Sequence, residues 1–267
     1  MGVLNLTPDS FSDGGRFTDV EEALAAARAM LAAGATLLDL GAESTRPAGK
    51  TYGAGAAWVP VDEELRRLLP TLERLRAETD AVLSVDTRKG AVARAALAAG
   101  ADLVNDVAAL ADPELAAAVA AAGCPVVLMH SRGELDDMHL HARYDDVTRE
   151  VRDELAAVLE RAVAAGVDRE QIVLDPGIGF AKTRQHNLSL LRHLDRLGEL
   201  GRPLLVGASR KSFIGELTGA PPAGRLAGSL AAVAWAARHG AAIVRVHDVA
   251  DTVDFLKVYD AIERPPA

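Results

Sequence analysis

The chain carries a single cysteine, Cys124, in Gly123-Cys124-Pro125-Val126 at the entrance to an apolar run. One cysteine excludes a disulfide framework and a cysteine-built zinc site, and in that setting the thiol reads as a small buried hydrophobe. Aromatic residues are scarce as well, 4% against 49% hydrophobic residues in all, so the core must be mainly aliphatic. Alanine is frequent, which favours helices and lets them pack closely on a sheet. No apolar stretch reaches the roughly 20 residues that span a bilayer, and no secretory leader is evident, so the cytoplasm is the expected compartment. Basic residues are short relative to acidic ones: 29 Lys and Arg against 38 Asp and Glu, a net charge of −9. That balance argues against nucleic acid or an anionic membrane as a partner. A small anionic ligand remains allowed if local cations or a metal hold it. The dinucleotide fingerprint is missing too. Asp175-Pro176-Gly177-Ile178-Gly179-Phe180 has the wrong glycine spacing, and its glycines instead let backbone approach a flat ligand on which Phe180 can stack. There is no Pro/Ser-rich linker and no fixed repeat period, so residues 1–267 are expected to form one domain.

What the chain does have is an eightfold alternation. Eight short apolar runs, around Val3-Leu4-Asn5, Leu37–Leu40, Val82–Asp86, Leu103–Asp106, Val126–His130, Ile172–Asp175, Leu204–Gly207 and Ile243–His247, are separated by helical segments. Strands buried on both faces look continuously apolar, and strand-then-helix repeated eight times predicts an α/β fold, a (β/α)8 TIM barrel. Helix ends are legible. Gly34, Gly100, Gly123, Gly166 and Gly240 each close an Ala-rich helix, and Asp112-Pro113-Glu114 reads as a capping Asp before a first-turn proline. Thr18-Asp19-Val20-Glu21 fits a capping box, and Pro70 is expected to kink the helix at about 61–78. Loops Thr7–Arg16 and Glu43–Pro60 follow the first two strands and are candidate lids at the mouth.

A barrel gathers its strand ends at one mouth, so Asn5, Asp86, Asn105, Asp175, Lys211, Arg245 and His247 are expected to converge. Two carboxylates accept N–H bonds and an asparagine both donates and accepts, which suits a heterocycle with an amino-pyrimidinone edge. Lys211, just past the seventh strand, and Arg245 with His247 at the eighth make an expected anion site. The alternative for Arg245 is a salt bridge to a neighbouring strand. Asn5 could offer an amide oxygen to Mg²⁺. His139 and His141 read as solvated surface.

Taken together, the motifs resemble one family, the dihydropteroate synthases. They are Met1–Gly15, Gly41–Pro47, Ser84–Thr87, Val104–Val107, Met129-His130, Asp175–Phe180, Ser209–Phe213 and Val244–Asp248, in the family's order over nearly the whole chain. The resemblance implies a transferase of folate biosynthesis. It would condense 6-hydroxymethyl-7,8-dihydropterin diphosphate with 4-aminobenzoate to give 7,8-dihydropteroate and diphosphate. Carried over, Asp86, Asn105, Asp175 and Lys211 hold the pterin, with Met129 and Phe180 lining its pocket. Asn5, Arg245 and His247 match the diphosphate positions, Asn5 facing Mg²⁺. Thr45, Arg46, Pro47, Lys211 and Ser212 match the aminobenzoate region. The resemblance also implies a homodimer and a sulfonamide target. A pterin-dependent methyltransferase or a non-catalytic pterin-binding homologue would lack, respectively, the first-loop and Ser209–Phe213 motifs, or Lys211 or Arg245. Ala48, Ser131, Ala181 and Ala208 depart from the family's usual residues and bear on aminobenzoate and sulfonamide affinity.

Overall fold

The computed structural model describes residues 1–7, 16–44 and 58–263, with the side chains of 16–19 excepted. Eight parallel strands lie in sequence order: β1 (Gly2–Asn5), β2 (Leu37–Gly41), β3 (Val82–Asp86), β4 (Leu103–Asp106), β5 (Val126–Met129), β6 (Ile172–Asp175), β7 (Leu204–Val206) and β8 (Ala241–Val244). The α-helices are α1 (Arg16–Ala32), α2 (Val61–Glu78), α3 (Gly90–Ala98), α4 (Pro113–Ala122), α5 (Val147–Ala164), α6 (Arg184–Arg192), α7 (Asp195–Gly198), α8 (Ser212–Thr218), α9 (Leu226–Arg238) and α10 (Val249–Glu263). The sheet curls with the helices around it. Beyond β8 the chain reaches back to β1: Val3 N–H donates to Val246 O and Val246 N–H to Met1 O, both at 3.0 Å.

Period-two alternation sorts each strand into an inner and an outer set. Outer residues meet the helices: Leu38, Leu40, Leu83 and Val85 pack with Leu24 of α1 and with Leu68 and Leu72 of α2. Inner residues form layers. Met1, Leu37, Leu103, Val127, Val173, Leu205 and Ile243 make an apolar plug. The next inner positions toward the strand C-termini are polar: Asp39, Ser84, Asp86, Asn105 and Asp175.

Helix boundaries follow the local chemistry. Asp112 accepts from Glu114 N–H with Pro113 at the first helical position, and Gly123 closes α4 at φ 61°. The five helix-closing glycines all have positive φ. Helix α1 begins at Arg16, two residues ahead of the expected Thr18 cap. Pro70 lies inside α2. The candidate lid residues Pro8–Gly15 and Thr45–Ala57 lie outside the described residues. The ends of the second segment are pinned, since buried Glu43 accepts from Val59 N–H at 2.9 Å and pairs with Lys89 at 3.1 Å.

Candidate active site

The strand C-termini bring Asp86, Asn105, Met129, Asp175, Phe180, Lys211 and Arg245 into one pocket, together with Val107, Ile178 and Gly207. Each polar member is placed by its strand register. Asp86 is paired to Asn105 across β3 and β4, and Asp175 to Met129 across β5 and β6. Their side chains therefore point inward at the same height.

The electrostatics centre on a residue that sequence reasoning passed over. Asp39, on β2, is fully buried. It accepts from Ser84 Oγ at 2.5 Å, Asn105 Nδ2 at 3.0 Å and Arg245 Nε at 2.5 Å. Arg245 Nη2 also donates to Asp86 Oδ2 at 2.8 Å. Burial works against the Arg245 charge, but Asp39 and Asp86 hold its pKa above the ordinary value. Arg245 thus makes ion pairs, as its alternative reading anticipated, but to β2 and β3 and not to a strand next to β8. Asp39 could have been found: in Leu37-Leu38-Asp39-Leu40-Gly41 it shares a parity with Leu37 and Gly41, the inner set.

Asp86 is left with an acceptor to spare. Its Oδ1 is buried without a hydrogen-bond partner among the described residues. Burial first, with Asp39, Glu64 and Asp106 adding to it against the pull of Arg245, pushes its pKa up to about 7. Asp175 Oδ1 accepts from Gly177 N–H at 2.7 Å. Burial raises its pKa, opposed by that amide and by Lys211, Lys182 and Arg245. A buried carboxylate oxygen without a donor is costly, and a ligand N–H removes the cost.

One wall is flat and apolar. Met129 and Phe180 are buried, and the Lys211 ammonium lies 4.2 Å from the Phe180 ring centroid. Burial and Arg245 lower the Lys211 pKa to about 8, with Asp175 and Asp86 pulling the other way. Lys211 is placed by a fixed turn: Arg210 N–H donates to Ser229 Oγ and Arg225 Nη1 to Arg210 O, each at 2.9 Å. Ser212 opens α8 directly after it.

His247 and Asn5 stand outside this pocket's lining. His247 is open to solvent on one side, with Nδ1 3.1 Å from Ser209 Oγ. Its surroundings and the cations Arg245, Arg210 and Lys211 depress its pKa to about 4. The expected basic pair is therefore not a pair of free charges: Arg245 is countered by two carboxylates and His247 is neutral at neutral pH. Asn5 ends β1 beside Gly41. Among the described residues no three His, Cys, Asp or Glu side chains gather to hold a metal, and His139 and His141 are no exception. Thr45, Arg46 and Pro47 lie outside the described residues.

An enzyme class follows from this combination of curled parallel sheet, acidic flat pocket and flanking cations: the family model described as "Pterin binding enzyme" matches residues 1–247. The chain is 45% identical to the dihydropteroate synthase of Escherichia coli K12 over 98% of its own length and 90% of that protein. It is 47% identical to a probable bifunctional folylpolyglutamate synthase/dihydropteroate synthase of Haloferax volcanii, covering 99% of this chain and 30% of that longer protein. Among solved structures, Xanthomonas albilineans dihydropteroate synthase with 4-aminobenzoic acid superposes with a TM-score of 0.92 at 52% identity, covering 100% of this chain and 93% of that one. The same enzyme in complex with 7,8-dihydropteroate gives 0.88 at 48% identity, covering 100% and 94%. The chain belongs to the dihydropteroate synthase family of pterin binding enzymes, transferases of folate biosynthesis.

Proposed function

We propose that the chain condenses 6-hydroxymethyl-7,8-dihydropterin diphosphate with 4-aminobenzoate, and that residues 1–267 form one domain built on a closed (β/α)8 barrel. The hydrogen bonds of Val3 and Val246 across the seam support closure. The observation that carries the functional reading is the orphaned Asp86 Oδ1 beside Asp175 in a pocket with one flat wall. An amino-pyrimidinone ring supplies N–H donors to both carboxylates and a face to Phe180 and Lys211.

In this reading the carbon–oxygen bond to diphosphate breaks first, because the dihydropterin ring delocalises the resulting cation. The Asp175 carboxylate stabilises that cation electrostatically. Arg245 has Nε and Nη2 committed to Asp39 and Asp86, which leaves Nη1 for the anion. His247, neutral, donates one N–H, and an anion beside it raises its pKa. The arylamine then attacks. It needs no strong base, since it becomes acidic once bonded. Thr45, Arg46, Pro47, Lys211 and Ser212 are the proposed surroundings of 4-aminobenzoate.

Asn5 fits Mg²⁺ in a limited sense. Its partly exposed amide has no hydrogen-bond partner among the described residues and can offer one oxygen. Mg²⁺ bound so would keep waters and substrate phosphate as its remaining ligands, and would supply charge neutralisation for the leaving group. Turnover is expected to fall to background on addition of EDTA and to return with excess Mg²⁺. Undiminished turnover in thoroughly chelated enzyme would remove the metal from the account.

The active form is proposed to be a cytoplasmic homodimer. Leu188 of α6, Leu217 of α8 and Trp235 of α9 are 39%, 56% and 45% exposed around one apolar groove away from the mouth. A second copy is the occupant that the family resemblance implies. The double substitution Leu217→Glu, Trp235→Glu is expected to halve the mass seen by light scattering, and a wild type that is already monomeric would refute this.

The functional proposal itself is tested by complementation. The chain should restore growth without folate end-products to a bacterium deleted for its own dihydropteroate synthase. Soluble, expressed protein that fails to do so would count against it.

A further inference from the structure

The segment after β6 has a backbone that needs holding. Gly177, Gly179 and Ala181 have φ of 66°, 88° and 48°. A Cβ at position 177 would lie 1.9 Å from His130 O, so glycine is required there. Ala181 has a Cβ and sits in the left-handed region, at a cost of roughly 1–2 kcal/mol. Yet this segment supplies Ile178 and Phe180 to the pocket.

Lys182 follows directly. Its Nζ donates to Phe180 O at 2.9 Å and to His130 O at 3.4 Å, and lies 2.9 Å from His130 Nδ1. An ammonium has three N–H groups, and all three find acceptors. The His130 ring fits this role. Its Nε2 lies 2.9 Å from Glu154 Oε2, and burial and Lys182 depress its pKa to about 4. The ring is therefore neutral, with the proton on Nε2 toward Glu154 and Nδ1 free to accept. Arg132 Nε holds Glu154 from the other side at 3.1 Å. Lys182 thus ties the end of β5 to the carbonyl of the residue whose ring forms the pocket wall.

Its charge has a second consequence. Lys182 is one of the cations that favour ionised Asp175. Burial lowers the Lys182 pKa to about 7, with Asp175 and Glu154 opposing, so the charge is present below that pH. The groups acting on Asp175 are the Gly177 amide and Lys182 of its own segment, Lys211 ahead of α8 and Arg245 after β8. Those acting on Lys182 are Asp175, Glu154 of α5, Arg132 after β5 and Lys211, with His130 in direct contact.

We propose that Lys182 is a positioning residue for the pterin substrate: its N–H bonds fix the Phe180 wall, and its charge acts on the Asp175 carboxylate. This rests on the mouth pocket being the pterin site. Lys182 lies just past the Asp175–Phe180 motif, and nothing in one dimension shows that it turns back to His130.

The test is calorimetric titration of 6-hydroxymethyl-7,8-dihydropterin diphosphate into wild type, Lys182→Met and Lys182→Arg across the pH range 5.5–8.5. Loss of a charge-assisted bond predicts a fall in affinity of about 10–100-fold at neutral pH in Lys182→Met. Removing a nearby positive charge raises the Asp175 pKa, so the acid limb of binding should move to higher pH. Lys182→Arg should recover most of the affinity, and the KM for 4-aminobenzoate should stay within a few-fold of wild type. If Lys182→Met does not fold, Lys182→Gln carries the test, because it keeps a donor for Phe180 O and loses the charge. An upward-shifted acid limb supports the proposal, and an unmoved limb at wild-type affinity overturns it. Wild type that binds no pterin diphosphate overturns the pocket assignment itself.

Discussion

Asp175→Ala is expected to lose pterin diphosphate binding by at least about 100-fold while unfolding within a few degrees of wild type. Each hydrogen bond to a charged acceptor is worth roughly 1.5–3 kcal/mol, and the pterin edge offers more than one N–H. The stability side nearly cancels. Alanine leaves Gly177 N–H without its acceptor. It also removes a buried carboxylate whose pKa is raised by the fold. A carboxyl whose folded pKa lies above its unfolded value holds its proton more tightly when folded. It therefore subtracts stability as pH rises from the unfolded toward the folded pKa. Asp86, raised to about 7, does the same between roughly pH 4 and 7. Binding runs the opposite way. Pterin N–H groups need ionised carboxylates, so affinity should climb with pH up to about 7, by as much as about tenfold per unit. Calorimetry and thermal unfolding of wild type and Asp175→Ala read both effects. Unchanged affinity in folded mutant protein would mean that the ring sits elsewhere.

Arg245→Ala should be the most damaging single change at the mouth. Read from sequence, Arg245 is a diphosphate ligand. The structure gives it a second duty, bracing Asp39 and Asp86 at 2.5 and 2.8 Å. Removing one partner of a buried ion pair costs about 3–5 kcal/mol, and here two carboxylates are stranded together. The Arg245 side chain is 22% exposed, so the lower end is the better expectation. At about 2–4 °C per kcal/mol this lowers the melting temperature by roughly 6–12 °C. Diphosphate affinity falls through the lost Nη1, and pterin affinity falls with it because Asp86 loses its anchor. Arg245→Lys, which keeps the charge without the planar fork, should recover stability better than binding. Thermal melts beside titrations with diphosphate and with free pterin decide this. A mutant as stable as wild type would show that Asp39 and Asp86 are not held by Arg245.

How much of this was legible in one dimension differs by residue. The eight strands announced themselves because a parallel strand buried on both faces leaves an unbroken apolar run. Asp86, Asn105 and Asp175 were visible because each is the polar residue that ends such a run. Asp39 was not, since it sits inside its run and only the inner-face parity of β2 distinguishes it. The electrostatic state of the basic residues was equally hidden. Sequence counts Arg245 and His247 as charges. Their neighbours come from other strands and loops: two carboxylates counter the first, which keeps its charge, and three cations help to hold the second neutral. Asn5 and His247 end or follow their strands as Asp86 and Asp175 do, yet stand outside the lining of that pocket, which spacing alone does not encode.

Diphosphate release from 6-hydroxymethyl-7,8-dihydropterin diphosphate, followed with and without 4-aminobenzoate in the presence of Mg²⁺, tests the central claim most directly. Release that depends on 4-aminobenzoate and matches 7,8-dihydropteroate formed mole for mole is the predicted result. Release at the same rate without the arylamine and without dihydropteroate, or no release at all from folded enzyme, would contradict it.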